Sequence, residues 1–327
     1  MTTPKTVDHA LQFYLEEVGK SRADSTLRTY HYIIEKFKAS LAIRSVLAEE
    51  TDLPAMRNEW LHWFLDDLRT LEPTTERGYL APILGFYEYV VAKRWLDLNL
   101  TELRYFVKRR QRKLPEKAQR FPKRQVEKVL EGADTVAIGP VKDEREQLAA
   151  LRDCALFYLL ADTGLRVSEV CALTRGQVDL LEQELFVVGK GNKEARVRIS
   201  RRASERLDRY LTLRRPLDTA LPSPDDDLPL LARHDKRAGK QILPVSPRSV
   251  QQTVDRYVVQ FLGDKYLREI TPHTFRHYFV TTVLRGTGGD IEVAKKLARH
   301  ADISTTMRYA HLSDEELDKT YYDLFDS

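Results

Sequence analysis

Between Arg104 and Arg124 the chain reads RYFVKRRQRKLPEKAQRFPKR, ten basic residues against one acid, with prolines at 115 and 122. A run of like charge this dense has little apolar periodicity and cannot bury itself, so the segments on either side must build separate cores. It therefore reads as an extended interdomain linker, and the chain as two domains. A length of 327 residues fits that division at roughly 100–200 residues per domain. The expected boundaries are 1–107 for a first domain, 108–121 for the linker and 122–327 for a second. The net charge of the whole chain is only +4, so everything outside the basic run sums to about −5. A basic concentration in a mildly acidic protein suits a polyanion, with Lys108, Arg109, Arg110, Arg112 and Lys113 as candidate phosphate contacts. A solvated linker gives the same charge signal.

Apolar residues at 42% and charged residues at 31% describe a soluble globular protein. No run approaches 18 apolar residues, which excludes a membrane-spanning helix. The N-terminus lacks the basic start and apolar stretch of a secretory signal. Cys154 and Cys171 lie in apolar helical patterns, so a disulfide framework is excluded, a cytoplasmic location fits, and a zinc site of the usual kind is not expected.

Helical spacing dominates both halves. Leu11, Tyr14, Leu15 and Val18, then Leu27, Tyr30, Ile34, Phe37 and Leu41, recur at three and four positions, with Thr6 and Ser25 as expected N-caps. Trp60, Leu61, Phe64, Leu65 and Leu68 mark a third helix. A fourth carries Tyr79, Leu80, Ile83, Phe86, Tyr87 and Val90, with Thr74 as its expected cap and Pro82 as an expected kink. Four such helices in under 100 residues form a small bundle. In the second domain a helix breaks at Thr163-Gly164. Leu185–Val188 and Ala195–Ile199 read as strands flanking a Gly-Lys-Gly-Asn turn. Residues 222–247 read as an irregular loop. Helices return at Val250–Leu262, Pro272–Arg285 and Ile291–Ala298, and a final one is expected over Asp314–Leu324. The fold class is mainly α with one small β hairpin.

Four segments place cations or imidazoles at element ends. In TGLRVSEV, Arg166 follows a glycine turn and opens a helix, where an arginine suits phosphate; pairing with Glu169 on the helix surface is the plainer reading. In GKGNKEARV, Lys190 sits between two glycines at a hairpin tip, with Lys193 as its competitor. In TPHTFRHYF, Thr271 and Pro272 open a helix on which His273 and Arg276 share a face, while His277 reads as structural. In LARHADISTTMRYAH, His300 closes a helix and Tyr309 follows nine positions later.

Taken in order, these segments resemble the tyrosine recombinase, or phage integrase, family and its short Xer-like and Cre-like members. The family pattern of Arg, Lys, His-x-x-Arg, His or Trp, then Tyr is matched by Arg166, Lys190, His273, Arg276, His300 and Tyr309. The spacing of 24 positions from Arg166 to Lys190 fits as well. The resemblance covers the whole chain and implies a four-helix, SAM-like core-binding domain ahead of the catalytic domain. It implies Tyr309 as nucleophile, Lys190 as general acid, His273 as base, Arg166, Arg276 and His300 as donors to the scissile phosphate, and Glu169 in support. Tyr321 and Tyr322 stand at the wrong distance from His300.

The implied activity is site-specific recombination through a 3′-phosphotyrosyl intermediate, for dimer resolution or for integration and excision of a mobile element. The covalent link conserves bond energy, so neither cofactor, metal nor ATP is expected. The implied partners are duplex DNA with an inverted-repeat site and a homotetramer on two such sites, with a second Xer-type recombinase as a possible heteromeric partner and the nucleoid as the place of action. The C-terminal helix would couple neighbouring protomers. The bundle starts by about Thr6, which leaves no room for an arm-binding domain and favours a simple recombinase. The competing readings are a type IB topoisomerase-like nicking-closing enzyme and a catalytically silent DNA-binding relative. Two departures stand out. Ala298-Arg299 replaces the family's usual Leu-Gly before the last histidine, setting a charge that touches DNA or points outward, and Thr274-Phe275 replaces the frequent Asp-Leu.

Overall fold

The computed structural model describes residues 3–110, 112, 121–188, 194–220, 225–239, 241–300, 302–307 and 309. The chain divides into two compact units, Met1–Lys117 and Ala118–Ser327. Among the described residues no helix is long and apolar enough to cross a membrane.

The first unit is built from α1 (Val7–Ser21), α2 (Asp24–Ala42), α3 (Glu59–Asp67), α4 (Pro73–Ala92) and α5 (Leu100–Arg110). Thr6 caps α1, its side chain accepting from the His9 N–H. The caps expected at Ser25 and Thr74 are displaced: α2 begins after Ala23, and α4 after Glu72 with Pro73 in its first turn. Pro82 does not break α4, which runs unbroken through it to Ala92. The buried seam includes Leu11, Ile34, Phe37, Trp60, Phe64, Phe86, Tyr87 and Val90. Helix α5 corrects the linker reading. Leu103 and Val107, one turn apart, join this core and carry Lys108, Arg109 and Arg110 into a helical last turn. Arg110 pairs with Asp66 at 2.6 Å, and Arg109 donates to the Tyr105 hydroxyl at 2.7 Å. Arg112 is bound to the buried Glu76 at 2.8 Å and donates to the Leu71 carbonyl. Lys113 lies outside the described residues.

The second unit comprises α6 (Lys123–Ile138), α7 (Glu144–Thr163), α8 (Val167–Ala172), β1 (Val178–Asp179), β2 (Glu184–Val188), β3 (Glu194–Arg198), α9 (Arg201–Thr219), α10 (Pro247–Leu262), α11 (Pro272–Gly286), α12 (Ile291–Ala298) and α13 (Ile303–Met307). The strands form one antiparallel sheet in the order β1-β2-β3, with Val188 opposite Glu194 across the hairpin. The two-residue β1 is an addition to the expected pair. Helix α7 packs on α6, α9 and α11 and is buried on nearly every side, with Phe157, Leu159 and Leu160 at the centre of the core.

Helix α9 extends that core by an ionic route. Arg214 is fully buried and donates to Asp218 at 3.0 Å, to the Tyr210 hydroxyl at 3.0 Å and to the Leu230 carbonyl at 2.8 Å. Arg175 closes on the same Asp218 at 2.6 Å. Buried charges persist when paired and hydrogen-bonded, and here they fix the irregular segment around Leu230 against α9. The cysteines are free. The helix expected at Asp314–Leu324 lies outside the described residues.

The turn after α7 demands glycine. Gly164 has φ +62°, and a Cβ there would run into the Phe279 ring. Gly164→Ala is expected to cost about 2–4 kcal/mol, combining left-handed strain with a forced shift of the aromatic ring. Chemical denaturation of the two proteins, followed by circular dichroism, checks this.

Candidate active site

The left-handed Gly164 ends α7 and turns the chain into Leu165 and Arg166, the N-cap of α8. The Arg166 N–H donates to Glu169 Oε2 at 2.7 Å, and its Nη1 donates to Oε1 at 3.0 Å. Glu169 is thus drawn to both the backbone and the side chain of Arg166. The Arg166 side chain remains half exposed.

On α11, Thr271 and Pro272 set the first turn as expected, with the Thr271 N–H donating to Thr274 Oγ1 at 3.0 Å. Arg276 lies on the inward face. Its Nη1 donates to the Gly164 carbonyl and its Nη2 to the Ala298 carbonyl at 2.5 Å. Desolvation, followed by the Arg166 charge, lowers its pKa to about 10, which leaves it cationic near neutrality.

Helix α12 ends in a Schellman arrangement. The Arg299 N–H donates to the Lys296 carbonyl and the His300 N–H to the Lys295 carbonyl, each at 3.1 Å, with Arg299 left-handed at φ 54°. This turn delivers the buried His300, whose Nδ1 is hydrogen-bonded to the buried Thr306 at 2.8 Å. Nε2 is then the ring nitrogen available to a ligand. Tyr309 packs on the small apolar cluster of Val280, Leu284, Ala294 and Ala298. Its ring stacks on His300 at 6.1 Å and meets the edge of His277 at 4.6 Å.

These groups line one cavity of about 320 Å³, bounded by Arg166, His273, Arg276, His277, His300, Thr305 and Tyr309. Five of the six residues expected to react converge there; Lys190, like its competitor Lys193, lies outside the described residues. His277, read from sequence as structural, lines the cavity, with its ring 4.6 Å from that of His273. The clue was its place one helical turn after His273. Arg299 corrects a second expectation. It points inward, with Nη2 donating to Glu169 Oε2 at 2.8 Å.

The site is cationic at its arginines and neutral at its imidazoles. Desolvation, then the charge of Arg276 and Arg166, lowers the pKa of His300 to about 4. Desolvation, then repulsion by His273 and Arg276, does the same to His277. His273 is lowered by desolvation, Arg276 and Arg166. Fixed guanidiniums in a half-enclosed pocket bind an oxyanion, and neutral imidazoles can accept or share a proton. Among the described residues, no group of three His, Cys, Asp or Glu side chains is arranged to hold a metal ion.

Residues 119–316 match the family described as the Phage integrase family. The chain is similar to tyrosine recombinase XerC of Staphylococcus saprophyticus subsp. saprophyticus, 29% identical over 311 residues, covering 94% of this chain and 93% of the relative. It is also similar to tyrosine recombinase XerC of Treponema denticola, 30% identical over 295 residues, covering 88% and 90%. Among solved structures, the fold resembles a XerH site-specific recombinase bound to difH substrate in a pre-cleavage complex. That likeness has a TM-score of 0.64 at 18% identity, covering 100% of this chain and 92% of the other. It also resembles a lambda integrase bound as a dimer to a COC′ core site, with a TM-score of 0.61 at 14% identity, covering 94% and 77%.

The lowered imidazoles predict a pH signature. His277 and His300 take up protons more readily unfolded, near 6.5, than folded, near 4. Their contribution to stability is therefore complete above about pH 6.5 and is lost as pH falls toward 4. Stability of the free protein is expected to decline through that window, and His277→Gln to flatten the decline. Urea denaturation at a series of pH values measures both slopes.

Proposed function

The chain belongs to the phage integrase family of tyrosine recombinases, and from that premise we propose how its residues carry out site-specific strand exchange. The Tyr309 hydroxyl attacks a DNA phosphodiester seated in the cavity. A bond forms between the tyrosyl oxygen and phosphorus, the bond to the 5′ oxygen breaks, and a 3′-phosphotyrosyl ester and a 5′-hydroxyl result. The convergence of Arg166, Arg276, His273 and His300 on one cavity beside Tyr309 is the observation that carries this reading.

Negative charge grows on the nonbridging oxygens as the bond forms. Arg166 and Arg276 offer fixed, charged donors there, and His300 adds a neutral one through Nε2. Tyrosine ordinarily ionises near 10, so its proton needs an acceptor at neutral pH. His273, held neutral, takes it, and His277 braces the tyrosine ring by edge contact. Lys190 protonates the departing 5′ oxygen. Glu169 orients Arg166.

Attack by a 5′-hydroxyl from a second site reverses the step and reseals the strand, with no change in the number of ester bonds. The reaction then requires neither ATP nor a metal ion. The substrate is duplex DNA carrying an inverted repeat, and the assembly is a homotetramer on two sites, or one shared with a second Xer-type recombinase. Action takes place in the cytoplasm, at the nucleoid. Biologically this serves dimer resolution or movement of a mobile element. The relatives matched over nearly their full length are named tyrosine recombinases, which does not favour a topoisomerase-like or silent protein.

A nicked suicide duplex bearing the true site should trap a covalent adduct with wild-type protein, with or without EDTA. Tyr309→Phe should abolish the adduct and keep DNA affinity, while Arg166→Ala should slow its formation by about 100- to 1,000-fold. An adduct formed by Tyr309→Phe would refute the nucleophile assignment, and loss of the adduct in EDTA would refute metal independence.

A further inference from the structure

Arg299 occupies a backbone position that ordinarily belongs to glycine. Its φ of 54° lies in the left-handed region, which L residues other than Asn and Asp rarely adopt. The side chain folds inward, only 17% exposed, onto a carboxylate that is itself 12% exposed. Its Nε is buried without a hydrogen-bond partner among the described residues, so the contact to Glu169 through Nη2 is what holds the group. An unfavourable backbone and an unsatisfied donor are offset by one ion pair.

That pair changes what Glu169 does. Oε2 accepts from the Arg166 N–H and from Arg299 Nη2, at 2.7 and 2.8 Å, while Oε1 accepts from Arg166 Nη1 at 3.0 Å. The carboxylate therefore faces two guanidiniums. With Arg299 removed, its whole charge would fall on Arg166, which lines the cavity and is the donor that must serve the phosphate. Resting on the recombinase reading, we propose that Arg299 is a positioning residue, which shares the charge of Glu169 and so loosens that carboxylate's hold on the Arg166 side chain while leaving the backbone cap in place. Arg299 touches no DNA in this role and lines no part of the cavity.

Substitution separates this role from a structural one, because Arg299→Gly relieves the left-handed strain. A merely structural Arg299 predicts unchanged or faster cleavage in that variant. Positioning predicts single-turnover cleavage of the suicide duplex about tenfold slower, with Kd for the uncleaved site within about twofold of wild type. Arg299→Asn, which tolerates the same backbone region, should match Arg299→Gly, and Arg299→Lys should recover most of the rate. In a Glu169→Gln background Arg299→Gly should have no further effect, since there is no carboxylate charge left to share.

Cleavage by Arg299→Gly and Arg299→Asn within about twofold of wild type would overturn the proposal. So would an equal loss in the Glu169→Gln background, which would mean that Arg299 acts through its field on the phosphate. Failure of wild-type protein to form any adduct would refute the recombinase reading instead, and is distinguishable from both.

Discussion

The guanidinium of Arg276 ties together the ends of three helices. It projects from α11 and donates to the last carbonyls of two others, Gly164 after α7 and Ala298 at the end of α12. Helix C-termini carry partial negative charge, so a cation buried between two of them is stabilised by both. Removing it would strand those carbonyl acceptors, and each buried polar group left unsatisfied costs about 1–3 kcal/mol. Each acceptor lies two positions before a residue that lines the cavity: Gly164 leads through Leu165 to Arg166, and Ala298 leads through Arg299 to His300. One side chain thus fixes the spacing of the groups that must meet a single phosphate.

The electrostatics follow from that arrangement. Desolvation, and after it the charge of the arginines crowded into the half-enclosed cavity, presses the neighbouring imidazoles toward neutrality, and the site is left short of negative charge. A phosphodiester supplies the missing charge. The carboxylate of Glu169 is drawn into the cluster, and two arginines divide it.

Much of this was legible in the sequence, and the exceptions have physical causes. The candidate site residues could be named because the segments that carry them resemble the tyrosine recombinase pattern in residue type and order, and five of the six line one cavity. Most helices with an apolar seam were equally visible; α6 was not named, because its first turn lies in the basic run, although Val126, Val129, Leu130, Ala133 and Ala137 form its buried face. Helix α5 was hidden because its seam holds only Leu103 and Val107 among charged residues. Helix α9 was hidden because part of its buried face is Arg214 and Asp218, which pair with each other and so read as a polar surface. The turn at Gly164 could be seen in the Thr-Gly pair, but the reason for it, the Phe279 ring, comes from α11. His277 and the inward course of Arg299 depend on contacts with residues 32 and 130 positions away, which no local pattern encodes.

The central claim is that Tyr309 becomes covalently joined to DNA in the cavity organised by Arg276. Mass mapping of the trapped complex tests it most directly: nuclease and protease digestion, followed by fragmentation of the peptide that retains a nucleotide. The account predicts a phosphonucleotide on Tyr309 and on no other residue. A nucleotide on Tyr321, Tyr322 or any other side chain would contradict it.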